Sequence, residues 1–221
     1  MIVAGGSGVR MKSPVPKQFL ELYGKPVLMH TVEAFSTIVP DARIIIVIPQ
    51  EYFALWQRLC SVKEWNVKHT LAAGGLKRYD SVKNGLALVG KQGVVAIHDA
   101  VRPLVSADVV KRCFDAAATY GAAIPVVPLK DSIRKIINET SHNEDRNMLR
   151  AVQTPQCFRC SIIKEAYTNA PLNDYTDDAS VAETCGHNIT LVEGNEENIK
   201  ITSPADMLFA EVLLKNKFIT H

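Results

Sequence analysis

MIVAGGSGVRMKSPVPKQF, residues 1–19, begins with a short apolar run and continues into a loop with three glycines. An apolar run that stops at glycines is typical of a strand entering a tight turn, because glycine lacks a Cβ and lets other groups approach the main chain closely. Cationic side chains follow the loop at Arg10, Lys12 and Lys17. The stretch therefore predicts a strand and a strand-to-helix turn with positive charge beside it.

The rest of the chain repeats this alternation. Short runs rich in Val and Ile predict strands at 1–4, 42–49, 67–73, 93–100, 122–129 and 189–194. Segments of helical period predict helices at about 50–63, 77–89, 106–119, 160–168, 176–185 and 204–216. Strands that alternate with helices build a largely parallel sheet covered on both faces. We therefore predict one α/β domain over residues 1–221, with a Rossmann-like, mostly parallel sheet flanked by helices.

The alternation breaks near residue 130. Two short strand-like pieces around a polar loop predict a projecting β-hairpin arm over residues 131–156. Few of its residues are apolar, so the arm has little to bury against its own domain. We expect it to be either flexible or packed on another chain.

Composition and charge exclude several functions. The chain has 221 residues and a formal net charge of +2 at pH 7, so no global field favours nucleic acid or a membrane surface. No apolar run approaches the roughly 18 residues of a membrane span, and no secretory signal is recognisable. The five cysteines are scattered and odd in number, which fits a reducing compartment. We expect a cytoplasmic protein that binds neither nucleic acid nor membranes.

Cys157 and Cys160 form a CxxC pair. One such pair, without a second at finger spacing, cannot complete a tetrahedral zinc site, and it does not follow the first strand of a thioredoxin-like unit. Ordinary buried or surface thiols are the better prediction.

The glycine loop matches no common phosphate-binding fingerprint completely. It lacks the third glycine of the dinucleotide motif and the lysine ending of the P-loop. A glycine-rich turn nevertheless presents N–H groups to phosphate oxygens. Beside it, Arg10 offers a guanidinium that can donate two hydrogen bonds to one phosphate, and Lys17 offers a compact positive charge. A nucleoside triphosphate is the predicted ligand, and a plain structural turn is the alternative. Lys12 is predicted to be a solvated surface residue.

Several segments carry a family resemblance. AGGSGVRM and PKQF are similar to the nucleotide-binding signature of nucleotidyltransferases that couple a sugar or polyol phosphate to a nucleoside triphosphate. The further segments are GGLKRYDSVKNGL (74–86), HDAVRP (98–103), PLKDS (128–132), RAVQTPQCF (150–158), TDDAS (176–180) and ENIKITSPAD (197–206). In this order, they resemble the 2-C-methyl-D-erythritol 4-phosphate cytidylyltransferase family of the non-mevalonate isoprenoid pathway. The resemblance implies an enzyme that joins CTP to that polyol phosphate and releases pyrophosphate.

HDAVRP follows an apolar strand. Asp99 and Arg102 should therefore emerge at its carboxyl end, the edge where open α/β sheets bind ligands. The first glycine loop and Gly75 also follow predicted strands, so three motifs converge on one edge. Mg²⁺ commonly takes one or two carboxylates plus substrate phosphates, so Asp99 alone could help to hold it. A turn or helix cap is the alternative for Asp99, and His98, on the other side of the strand, is predicted to be packed.

The resemblance also implies residue roles. Nucleotide binding falls to Ala4, Gly5, Gly6, Gly8, Gly75 and Ser81. Catalysis falls to Arg10, Lys17, Arg146 and Lys200. Substrate binding falls to Asp99, Arg102 and Ser132, with Asp99 also holding Mg²⁺. The arm would clasp a second subunit in a homodimer, so that Ser132, where the family usually has threonine, and Arg146 reach the neighbouring site.

Three residues of neighbouring motifs are open to other interpretations. Arg78 is as well explained by an ordinary helix surface, and Asp177 and Asp178 by the helix dipole.

Three rival functions remain. The first is a non-catalytic nucleotide-binding module, which would not need Asp99, Lys200 and the arm together. Ribitol 5-phosphate cytidylyltransferases share the glycine loop and HDAVRP, whereas PLKDS and TDDAS look more like the first family. A nicotinamide-dependent oxidoreductase is a remote alternative, disfavoured by the missing third glycine and by the cations after the loop.

Overall fold

The computed structural model describes residues 1–4, 15–171 and 174–219. Its strands are β1 (Ile2–Val3), β2 (Glu21–Leu22), β3 (Lys25–Pro26), β4 (Ile45–Ile48), β5 (Thr70–Ala73), β6 (Val94–Asp99), β7 (Ala122–Pro128), β8 (Ile133–Ile137), β9 (Thr140–Glu144), β10 (Arg150–Val152), β11 (Gln156–Arg159) and β12 (Thr190–Glu193). Its α-helices are α1 (Val27–Ile38), α2 (Phe53–Val62), α3 (Arg78–Ala87), α4 (Ala107–Tyr120), α5 (Cys160–Asn169), α6 (Asp178–Thr184) and α7 (Pro204–Ile219). None of these helices is long and apolar enough to cross a membrane.

The main sheet confirms the predicted α/β class. Strands β5, β4, β1 and β6 lie side by side and run parallel. Strand β11 lies antiparallel between β6 and β7, and β12 pairs in parallel with β7. Strand β10 pairs antiparallel with the end of β7. The parallel strands thus end along one edge, which is where ligands bind in open α/β sheets.

Helix α1, strand β11 and the short strands β2 and β3 are missing from the sequence-based prediction. The α1 stretch begins with three successive buried apolar residues after Pro26, so its start lacks the polar face of an amphipathic helix. The four residues of β11 alternate poorly, and their strand conformation depends on pairing with both β6 and β7. Long-range pairing of this kind leaves no local pattern in the sequence.

Two apolar cores cover the faces of the sheet. One packs α1, α2 and α4 against one face, and the other packs α3, α5 and α6 against the opposite face. Cys157 belongs to the first core and Cys160 to the second, so the CxxC pair is divided between the two sides of the sheet. Both are buried, unbridged thiols, as predicted.

The arm is a separate two-stranded sheet of β8 and β9. Its turn residues, Asn138 and Glu139, both have positive φ, as in the tight turns that suit hairpin twist. The remainder of the 131–156 segment returns to the main sheet through β10. The projecting part of the arm is therefore 133–144.

Candidate active site at the carboxyl edge of the sheet

Three of the predicted site residues meet at the end of β6. Asp99 is the last residue of the strand and is 8% exposed. Its Oδ2 atom lies 3.0 Å from Lys200 Nζ and accepts a hydrogen bond from Arg102 Nε at 3.2 Å. Arg102 is anchored further by Nη1, which donates to the Asn198 carbonyl at 2.7 Å. The cluster thus carries two cations and one carboxylate in fixed positions.

The cations keep Asp99 ionised. Burial alone would raise its pKa, but the positive charges of Lys200, Arg78 and Arg102 outweigh this effect and hold the pKa well below its usual range. Both contacts of the carboxylate use Oδ2, and no described residue hydrogen-bonds to Oδ1. The described residues contain no cluster of three or more His, Cys, Asp or Glu side chains that could hold a metal. Asp99 could hold a divalent cation such as Mg²⁺ together with ligand phosphate oxygens.

Lys17 approaches the same edge from a short 3-10 helix, Lys17–Phe19. Its Nζ donates to the Ile201 carbonyl at 2.9 Å, next to Lys200. Gln18 fixes this helix to the end of β1, because its Nε2 donates to the Ala4 carbonyl at 3.0 Å. The buried Phe19 ring packs against Tyr52 and Trp56. The apolar and amide side chains of PKQF thus position its lysine.

The predicted nucleotide loop lies mostly outside the described residues, and this part includes Gly5, Gly6, Gly8 and Arg10. Ala4, before them, is buried, and its N–H donates to the Val47 carbonyl at 2.8 Å. Ala4 therefore lies at the carboxyl edge of the sheet, beside β4.

The second predicted loop, between β5 and α3, is held by its own residues. The Gly75 N–H donates to Ser81 Oγ at 3.0 Å, and that hydroxyl donates to the Lys77 carbonyl at 3.1 Å. A Cβ on Gly75 would lie 2.2 Å from the Asp80 Cβ, so no larger residue fits there. The structure thus gives Gly75 and the buried Ser81 a role in shaping the loop, whatever they contact in a ligand.

Arg78 and Asp178 form a buried ion pair that the sequence did not reveal. Both terminal nitrogens of Arg78 donate to the Asp178 carboxylate, at 2.8 and 2.6 Å. The Tyr167 hydroxyl also donates to Asp178, at 2.6 Å. Asp177 does serve the helix as predicted, accepting a hydrogen bond from the Ser180 N–H at the start of α6. Adjacent aspartates therefore have different functions, which sequence position alone could not distinguish.

A cleft of about 280 Å³ has five charged lining residues, Arg78, Asp99, Arg102, Asp177 and Lys200. Its remaining polar lining includes Gln153, Thr154, Gln156 and Thr176. Sequence reasoning missed Gln153, Thr154 and Gln156 as lining groups because they lie in or just before β11, whose position depends on pairing with β6 and β7. Among the described residues, three cations line the cleft, Arg78, Arg102 and Lys200, and they attract phosphate groups.

Ser132 and Arg146 stay apart from this cluster. Both lie at the base of the arm and are exposed. Arg146 donates to the Lys130 carbonyl, and Lys130 in turn pairs with Glu196. Within the part of the chain that the structure describes, neither residue contacts Asp99, Arg102 or Lys200. Their assignment to a site remains a prediction.

The fold and the cationic edge define an α/β protein of the nucleotidyltransferase class. The model of the family IspD, 2-C-methyl-D-erythritol 4-phosphate cytidylyltransferase, matches residues 1–216. The chain belongs to this family.

Relatives and solved structures agree with this membership. The chain is 49% identical to the 2-C-methyl-D-erythritol 4-phosphate cytidylyltransferase of Bacteroides fragilis over 97% of its length and 98% of the relative's. It is 46% identical to the enzyme of that name from Phocaeicola vulgatus, with the same coverage. A crystal structure of the enzyme from Thermus thermophilus superposes with a TM-score of 0.78 and 29% identity, covering 97% of both chains. The crystal structure of the 4-diphosphocytidyl-2C-methyl-D-erythritol synthase of Anaerococcus prevotii superposes with a TM-score of 0.82 and 27% sequence identity. The match covers 97% of this chain and 96% of that one.

Proposed function

We propose that this chain joins CTP and 2-C-methyl-D-erythritol 4-phosphate, giving 4-diphosphocytidyl-2-C-methyl-D-erythritol and pyrophosphate for isoprenoid precursor synthesis. Family membership supports the reaction. The observation that carries it is the ionised Asp99 held between Arg102 and Lys200 at one edge of the sheet, with Lys17 hydrogen-bonded to the Ile201 carbonyl beside Lys200. The five free cysteines of the chain fit an enzyme that works in the reducing cytoplasm.

The reaction needs no general base. The second pKa of a phosphate monoester is about 6, so the substrate phosphate is already largely a dianion at pH 7. One of its oxygens attacks the α-phosphorus of CTP, a new P–O bond forms, and the bond to pyrophosphate breaks. The chain's contribution is positioning and charge neutralisation. Arg102 and Lys200 would grip the substrate phosphate, and Lys17 with Arg10 would stabilise charge on the triphosphate.

Asp99 is the proposed protein ligand of Mg²⁺. When bound, the ion would neutralise charge on the phosphate oxygens. Lys200 and Arg102 keep the carboxylate ionised and restrain it through Oδ2.

We further propose a homodimer formed through the arm. Ile136 is 67% exposed and Ile137 is 44% exposed, so the apolar residues of β8 need a surface to cover them. Ser132 and Arg146, which lie at the base of the arm, would then enter the partner's site.

Pyrophosphate release tests the proposal. The chain should release pyrophosphate from CTP in the presence of Mg²⁺ and 2-C-methyl-D-erythritol 4-phosphate. Turnover with ribitol 5-phosphate alone would establish the rival cytidylyltransferase instead. A change in nicotinamide absorbance without pyrophosphate release would contradict both.

A further inference from the structure

The turn from Asp99 to Arg102 carries two of the proposed substrate-binding side chains. Its own main chain closes it, because the Arg102 N–H donates to the Asp99 carbonyl at 3.1 Å. The main chain of Val3 and Ile201 also bonds to the turn, and three side chains bond to further main-chain groups, the Asp99 N–H and the Ala100 and Arg102 carbonyls. These side chains are Thr31 of α1, His98 of β6 and Thr154 before β11, and all three are buried.

His98 contacts one end of this turn directly and the other end through Thr154. Its Nε2 lies 3.0 Å from the Arg102 carbonyl oxygen, and its Nδ1 lies 3.0 Å from Thr154 Oγ1. Thr154 Oγ1 in turn accepts a hydrogen bond from the Asp99 N–H at 3.1 Å. A carbonyl oxygen can only accept, so Nε2 must carry the ring proton. The neutral ring then accepts at Nδ1 from the Thr154 hydroxyl. Each of the three hydrogen bonds that link Arg102, His98, Thr154 and Asp99 then has one donor and one acceptor.

Thr31 holds the middle of the turn. Its Oγ1 donates to the Ala100 carbonyl at 2.8 Å, and the side chain is fully buried on α1. This contact comes from the opposite side of the strand to the cleft, which places α1 beneath the site.

His98 itself cannot meet a substrate. Its ring is fully buried and packs against Phe35 at a centroid distance of 4.7 Å. Both ring nitrogens are occupied by groups that determine where Asp99 and Arg102 point. We propose that His98 is a positioning residue which, with Thr154 and Thr31, preorganises the Asp99–Arg102 turn for the substrate phosphate. This inference rests on the proposed function only in assigning that phosphate to the turn.

Two variants separate the two contacts of the ring. The amide of His98→Asn can replace Nδ1 but is too short to reach the Arg102 carbonyl. The longer amide of His98→Gln can donate near the position of Nε2. We expect His98→Asn to raise the KM for 2-C-methyl-D-erythritol 4-phosphate about tenfold, and His98→Gln less than about threefold. The KM for CTP should change less than about twofold in both, because other contacts hold Lys17 and the Gly75 loop.

If His98 only packed the core, its replacement would change the melting temperature but would not raise the KM for one substrate more than the KM for the other. Equal rises in both KM values, or an unchanged KM for the polyol phosphate in His98→Asn, would overturn the proposal. If His98→Asn does not fold, Thr31→Val removes the donor to Ala100 at nearly constant shape. It should raise the same KM about fivefold, and an unchanged value would equally count against the proposal.

A spectroscopic measurement is independent of turnover. In a ¹H–¹⁵N multiple-bond correlation spectrum of the wild-type protein, His98 should show a protonated Nε2 and an unprotonated Nδ1 at neutral pH. The opposite tautomer would overturn the hydrogen-bond chain. If the wild type released no pyrophosphate, the proposed function would fail, whereas this spectrum would still decide how the turn is held.

Discussion

The cleft and the arm use charged residues in opposite ways. At the cleft, Asp99 and Asp178 are buried and each has a cation at hydrogen-bonding distance. On the arm, Lys135 and Glu144 are 3.8 Å apart, with side chains 60% and 40% exposed. The first arrangement is preorganised within one chain, whereas the second leaves its partners to solvent or to another molecule. The difference indicates that one chain is sufficient to pair the charges of the cleft, whereas a second copy would be needed to cover the arm.

The largest expected effect on stability comes from the buried pair. Arg78→Met leaves the Asp178 carboxylate buried without its cation, which should lower the free energy of unfolding by about 3–5 kcal/mol. Lys135→Met breaks the arm's ion pair and should cost less than about 0.5 kcal/mol. Denaturant unfolding of both variants measures the difference. Similar losses in the two variants would remove the contrast between cleft and arm.

Lys17→Ala tests whether the preorganised cations serve catalysis. Loss of a preorganised donor to developing charge should raise the barrier by about 3 kcal/mol or more, a fall of roughly 100-fold in kcat/KM for CTP. Lys111→Ala, an exposed lysine on α4, is the matched control and should keep wild-type turnover. Near-normal turnover of folded Lys17→Ala would show that this lysine is not part of the machinery.

His98 should make the protein sensitive to acid. Burial lowers the pKa of His98 from 6.5 to about 4. Between these values the unfolded chain binds a proton that the folded chain does not, so stability falls as the pH falls through this window. Across the whole window, His98 should change the free energy of unfolding by about 3 kcal/mol, which follows from the size of its pKa shift. His98→Gln should lose this part of the slope between pH 7 and pH 4.5, measured by denaturant unfolding against the wild type. An unchanged slope would mean that folding does not lower the pKa of His98.

The sequence predicted the elements that repeat a local pattern. The alternation of apolar runs and helical segments located the parallel strands, and the strand ends located Asp99 and Arg102. The same local reasoning predicted that His98 is packed, which is confirmed, but not that both of its ring nitrogens are hydrogen-bonded to the turn. The Nδ1 contact depends on Thr154, which stands 56 positions from His98 in the chain, whereas the Nε2 contact is to Arg102, four positions away.

Long-range contacts also explain why the sequence did not predict the Arg78–Asp178 ion pair or strand β11. Arg78 and Asp178 are 100 residues apart, so neither motif contained the information that they pair. Strand β11 acquires its conformation from β6 and β7, and it carries Gln156 and the adjoining Thr154 to the cleft. The arm was recognisable for the opposite reason, because its strands pair with each other and its turn is local.

The smallest effect on the stability of the single chain should occur on the arm. Ile136 and Val62 are similarly exposed, at 67% and 70%, but only Ile136 lies on the arm. At high dilution, Ile136→Glu and Val62→Glu should each change the free energy of unfolding by less than about 0.5 kcal/mol, because neither side chain is buried within the chain. Sedimentation at higher concentration should separate them, since a charge inside an apolar interface lowers dimer affinity and Val62 lies outside the proposed interface. If Ile136→Glu assembled like Val62→Glu, the arm would not be the contact between copies, and Ser132 and Arg146 would have to act within their own chain or not at all.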